Sequence, residues 1–158
     1  DNPEFLNSFL DYSITILNKS ENSVKEYNYD LAMFLKYMKI HFNLTKETDL
    51  SQIKINDFDL ETLKKITLED IHAFVSYMAI NNHSKAATRA RKISTIRIFF
   101  KYLTVKAKLL DINPAQNLET PKQEKRMPKY LSLEDSQKLL KVTADTFSVT
   151  VIFIVSPP

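Results

Sequence analysis

Across 158 residues the chain contains not one glycine, where about 7% is usual. Glycine enters left-handed turns without a steric penalty, and two-residue β-hairpins lean on it. A chain without it is poorly suited to tight hairpins, so helices joined by polar turns are the natural alternative. The same absence excludes the glycine-rich phosphate loops, both the Walker loop and the dinucleotide fingerprint. The expected fold class is all-α.

Hydrophobic periodicity supports this. Phe5, Phe9, Ile16 and Leu17 fall near helical spacing after Pro3 and predict a first helix over 4–17. Ser23 followed by Glu26 has the pattern of a capping box, and Val24, Tyr27, Leu31, Phe34, Leu35, Met38 and Phe42 then form one stripe of a second helix. Residues 43–65 are irregular and acidic, with one helical turn expected near Leu60. Thr67 and Asp70 start a third helix with Ile71, Phe74, Val75 and Met78 on its core face. Ser84 is placed to cap a fourth helix running to about Lys106. Its core stripe is Ile93, Ile96, Phe100 and Leu103, which lie within about 80° of one another at about 100° per residue. Asn113-Pro114 ends the turn that follows, because the residue before a proline is pushed out of the helical region.

The expected organisation is a bundle over 1–118, an extended linker over 119–131 with two prolines, and a further segment, 132–158, opened by a short amphipathic helix after Ser132. The apolar, β-prone end TFSVTVIFIVSPP reads as one element of something larger.

Charge is unevenly distributed. Net charge is only +3, yet no Asp or Glu occurs between Asp70 and Asp111, and residues 71–110 carry eight Lys or Arg. Ordinary exposed faces mix signs, so a segment of one sign points to a localised anionic partner. On the fourth helix Thr88, Arg91, Thr95 and Tyr102 lie opposite the core stripe, with Ser94 and Lys101 to one side and Lys92 to the other. Long cations beside short hydroxyls suit a helix pressed on DNA: hydroxyls let the backbone approach and bond phosphate, and arginine reaches base edges. Lys85 and Arg89 stand in its first turns. Arg97, at the edge of the core stripe, suits either DNA contact or an ion pair with Asp30. On the second helix Lys25, Tyr29, Ala32 and Lys36 line up away from the core, with Asn28 and Lys39 alongside. Two such stripes can clamp one duplex. Tyr27 is expected in the core.

No catalytic set suggests itself. His41, His72 and His83 have no metal-ligand spacing, and Asp57, Asp59 and Glu61 lack the glycine and later glutamate of an EF-hand. Neither metal nor cofactor is expected. There is no cysteine, which removes disulfides and fits a reducing cytoplasm. No apolar run approaches the roughly 20 residues of a membrane span, and the opening DNPEFLNSFLDY is unlike a signal peptide.

Four stretches in order carry a family resemblance: SENSVKEYNYDLAMFLKYM, SKAATRARKISTIRIFFKYL, INPAQNL and PKQEKRMPKYLSLEDSQKLL. Over residues 5 to about 142 the chain resembles the N-terminal part of tyrosine recombinases of the phage-integrase family, close to the Xer type. The resemblance implies a four-helix, SAM-like core-binding domain, an interdomain linker and the first helix of a catalytic domain. It implies double-stranded DNA as the partner, contacted by the second and fourth helices, with other recombinase protomers on the same site. Thr88, Arg91, Ser94 and Arg97 match the family pattern; where the family commonly has two basic residues after the tyrosine, Asn28 and Tyr29 follow Tyr27. The family's tyrosine nucleophile, arginines, lysine and histidines are not found, no His-x-x-Arg occurs, and the sequence leaves the family pattern after Val142. The chain is therefore expected to bind without catalysing, as a fragment, a truncated product or a chain with a foreign tail. An all-α protein-interaction module is the rival reading.

Overall fold

The computed structural model describes residues 1–122, the first of the two units into which the chain divides, Asp1–Lys122. The linker beyond Lys122, the helix expected after Ser132 and the apolar end lie outside the described residues.

Every regular element of the first unit is helical. Helix α1 spans Glu4–Thr15 and α2 spans Glu21–His41. A 3-10 turn, Leu50–Gln52, and the short α3, Leu60–Lys64, interrupt the acidic connection. Helix α4 covers Leu68–Ile80 and α5 covers Ala86–Lys101, which widens into a π turn over Tyr102–Lys106. Four substantial helices and the turn near Leu60 thus stand where periodicity put them, save that α1 stops at Thr15 and leaves Ile16 and Leu17, expected on its stripe, exposed.

The stripes meet in one core. Leu31, Phe34, Leu35 and Met38 from α2, Ile71, Phe74 and Met78 from α4, and Ile93, Ile96 and Phe100 from α5 are buried together. Phe34 sits at their junction, edge-on to Phe74 at 5.3 Å and to Phe100 at 5.9 Å. Helix α1 closes one side through Phe9, 5.3 Å from Phe99 and 5.8 Å from Tyr27. The half-buried Tyr27 therefore packs on the core, as expected.

Two starts differ from the sequence reading. Helix α2 is capped a turn earlier, by Ser20, whose hydroxyl accepts from the Ser23 amide at 3.2 Å. Glu26 is thereby freed from a capping box and pairs with Arg91 instead. Ser84 does not cap α5: its hydroxyl donates to the Met78 carbonyl at 3.0 Å, closing the end of α4, and Lys85 takes the N-cap position without a side-chain bond. The Thr67–Asp70 capping box is present on α4.

The absence of glycine has a direct structural consequence. Asn18, Asn43, His83 and Lys108 adopt left-handed backbone, with φ between 51° and 58°. Each lies just past a helix end, the position glycine usually takes. After α2 the Leu44 amide reaches the Lys39 carbonyl at 2.8 Å and the Asn43 amide reaches Ile40 at 3.0 Å, a Schellman pair. At the other three, the next residue bonds six positions back: Lys19 to Ser13, Ser84 to Met78 and Leu109 to Leu103.

Candidate nucleic-acid interface

Helices α2 and α5 are joined by a charged seam. Its contacts advance in the same sense along both: Glu26 with Arg91 at 3.0 Å, Asp30 with Lys92 at 2.7 Å, then Phe34 with Phe100. Asp30 is fully buried, and its carboxylate accepts from Arg91 at 2.6 Å, Lys92 at 2.7 Å and the Thr95 hydroxyl at 3.1 Å. A carboxylate taken out of water must be neutralised and hydrogen-bonded, and α5 supplies three donors within one and a half turns.

This seam corrects the expected outer face of α5. Lys92 is 5% exposed and Thr95 2%; both are spent on Asp30, so neither stands on the open surface. Tyr102, also expected opposite the core, is half-buried against Tyr12 at 4.8 Å and Phe9 at 5.5 Å; burial, together with Tyr12 and Asp11, pushes its phenol up. Because α2 packs on one flank of α5, the buried arc is wider than the aliphatic stripe. At about 100° per residue the open strip becomes Arg91, Ser94, Arg97, Lys101 and Val105.

The remaining candidates divide by environment. Lys25, Tyr29, Lys85, Arg91, Ser94, Arg97 and Lys101 are exposed; Asn28, Lys36, Thr88 and Arg89 are half-buried. Arg97 does not pair with Asp30; it reaches the Thr120 hydroxyl at 3.4 Å. Arg89 folds back to donate to the Ser84 carbonyl. The Asn28 side chain accepts from Asn2 at 2.9 Å. Lys39, expected beside the outer stripe of α2, is buried and donates to the Lys54 carbonyl at 2.8 Å and to Asp57 at 2.7 Å. The bond from Lys39 holds the Asp57 carboxyl below the usual range. Among the described residues, no carboxylate lies within ion-pair distance of Lys25, Lys36, Lys85, Arg97 or Lys101.

Sequence reasoning missed a groove of about 730 Å³ between α5 and the turn over 111–116. Ser94, Arg97, Ile98 and Lys101 form one wall, and Ile112 and Gln116 stand on the other. The Asn113 side chain accepts from the Ala115 amide at 2.8 Å and sets that turn, so the Asn-Pro-Ala run was the available signal. Among the described residues no group of three His, Cys, Asp or Glu gathers as for a metal, and no helix is long and apolar enough to cross a membrane.

Comparison with known proteins agrees with this architecture. The family described as phage integrase, N-terminal SAM-like domain matches residues 47–107. A tyrosine recombinase XerC of Caldanaerobacter subterraneus is 37% identical over 139 residues, 87% of this chain and 39% of that protein. The chain is similar to the tyrosine recombinases. Another recombinase of the family, XerD of Listeria monocytogenes, is 33% identical over 90% of this chain and 42% of its own length. The crystal structure of XerA recombinase superposes with a TM-score of 0.55 at 24% identity, covering 90% of this chain and 40% of that one, and so shares the fold. The chain thus spans about two fifths of the length of these recombinases.

Proposed function

We propose that the unit Asp1–Lys122 is a duplex-DNA-binding domain of a tyrosine recombinase, contributing grip on a recombination site and not the chemistry of strand cleavage. The observation that carries the reading is the open strip of α5. Arg97 and Lys101, with Lys85 at the helix start, project from a segment without a single acid from Ile71 to Leu110. Lys25 and Lys36 add a second cationic row on α2. Cations along two adjoining helices suit the phosphates of one duplex, with Ser94 and Thr88 small enough to let the backbone approach. That the relatives are named tyrosine recombinases supports a role in recombination; action on DNA in the cytoplasm, beside other protomers on the same site, belongs to the same proposal. The exposed Ile112, at 79%, and Val105, at 51%, suit contact with such a protomer.

The test is fluorescence anisotropy of a labelled duplex of about 30 bp titrated with the 158-residue chain across salt. If Lys25, Lys36, Lys85, Arg97 and Lys101 engage phosphates, log K falls with log salt at a slope of roughly −4 to −5. Absence of binding even at low salt would overturn the reading in favour of a protein-interaction module.

A further inference from the structure

Among the aromatics of α2, Tyr27, Phe34 and Tyr37 pack on the core, whereas Tyr29 stands 67% exposed. It is nevertheless held in place. The Lys92 ammonium sits 4.8 Å from the centre of its ring. That ammonium is itself fixed at 2.7 Å on the buried Asp30. A cation over an aromatic face is attractive, and more so where it is shielded from water. The ring therefore rests on a platform whose charge is already compensated from below.

The surroundings suggest what the ring is for. A hollow of about 520 Å³ opens between Tyr29 and the start of α5, lined also by Met33, His83, Lys85 and Thr88. Lys85 stands across this hollow, and Lys25 lies one turn before Tyr29 on α2. A neutral ring between two cations differs from a phosphate ligand. The cations fix the register of a duplex, and an apolar group between them meets base edges, where the thymine methyl is the apolar feature of the major groove.

We infer that Tyr29 is a non-ionic contact reading thymine methyls, and that Lys92 with Asp30 are positioning residues that act through it without touching the duplex. This rests on the DNA-binding reading above. It assigns Lys92 a role different from that of the exposed cations, and it gives the position after Asn28 a function that no charge would serve.

The test uses duplexes recovered by the wild-type chain from a randomised pool, then rebuilt with deoxyuridine in place of thymidine to remove the methyl groups. Wild type is expected to lose affinity on that exchange. Tyr29→Ala is expected to bind the thymidine duplex on the order of ten-fold more weakly, with an unchanged salt slope and no remaining difference between the two duplexes. Lys92→Met should weaken binding in the wild-type background and not in the Tyr29→Ala background. Where Lys92→Met does not fold, Lys92→Arg keeps a cation on Asp30 and beneath the ring, and should bind as wild type with the same slope. The inference is overturned if Tyr29→Ala binds as wild type, if it flattens the salt slope as loss of a phosphate contact would, or if either Lys92 variant changes that slope. Recovery of no duplex at all by the wild type would instead remove the DNA-binding reading beneath it.

Discussion

Removing the Asp30 carboxylate tests the seam that joins the two candidate DNA helices. In Asp30→Ala the Lys92 ammonium, whose side chain is 7% exposed, loses its carboxylate while remaining enclosed. Arg91 keeps Glu26 at 3.0 Å and is 43% exposed, so it can turn to water; Lys92 has no such exit without α2 and α5 separating. Breaking a buried pair on one side costs about 3–5 kcal/mol, a large share of the roughly 5–15 kcal/mol that holds a domain together. Replacing both partners by apolar groups of similar size is commonly neutral or favourable, so Asp30→Leu combined with Lys92→Met should recover most of the loss. Urea unfolding followed by far-UV circular dichroism measures all three chains. The expected order is wild type close to the double variant, with Asp30→Ala well below both at an unchanged m-value. A loss under about 1 kcal/mol for Asp30→Ala, within the range of surface pairs, would refute the reasoning, as would a double variant no better than the single.

Three further outcomes follow from the same structure. Phe34→Ala should cost about 3–5 kcal/mol by the same unfolding assay, since the ring lies wholly inside the junction of α2, α4 and α5. His83→Gly and Lys108→Gly should each stabilise the chain by up to about 1 kcal/mol, seen as a rise in melting temperature, because relief of left-handed strain exceeds the extra freedom gained by the unfolded chain. Burial pushes the Asp70 carboxyl up, but bonds from the Thr67 amide, His41 and the Thr67 hydroxyl prevail and hold it below the usual carboxylate range. Its contribution is therefore complete above the ordinary carboxylate range and lost as pH falls through the lowered folded value. Unfolding measured against pH should show a shallower acid limb in Asp70→Asn.

The core was legible because it is written in period: the stripes of α2, α4 and α5 and the Thr67–Asp70 cap follow from spacing alone. The flank of α5 was not legible in the same way. An aliphatic stripe marks the centre of a buried arc, while the arc's width depends on what packs beside it. Here a carboxylate 62 positions earlier in the chain draws Lys92 inside, and nothing local to either residue announces the meeting. Arg91 and Lys92 are adjacent in sequence and look equivalent there, yet one faces solvent and the other supports Tyr29. Helix starts were displaced for a related reason. Ser20 and Ser23 both suit an N-cap, as Ser84 suits one for α5, and the choice was set by partners elsewhere: Arg91 for Glu26 and the Met78 carbonyl for Ser84. The left-handed caps at His83 and Lys108 were hidden because the residue that usually marks such positions is missing from the chain.

The most direct measurement is a lysine footprint. Brief acylation of the 158-residue chain, with and without a duplex of about 30 bp at low salt, is read residue by residue by mass spectrometry. The account predicts protection of Lys25, Lys36, Lys85 and Lys101, no change at Lys46, Lys54 and Lys65, and little labelling of the buried Lys39 and Lys92 in either state. Equal labelling of Lys25, Lys36, Lys85 and Lys101 with and without duplex, or protection confined to Lys46, Lys54 and Lys65, would contradict it.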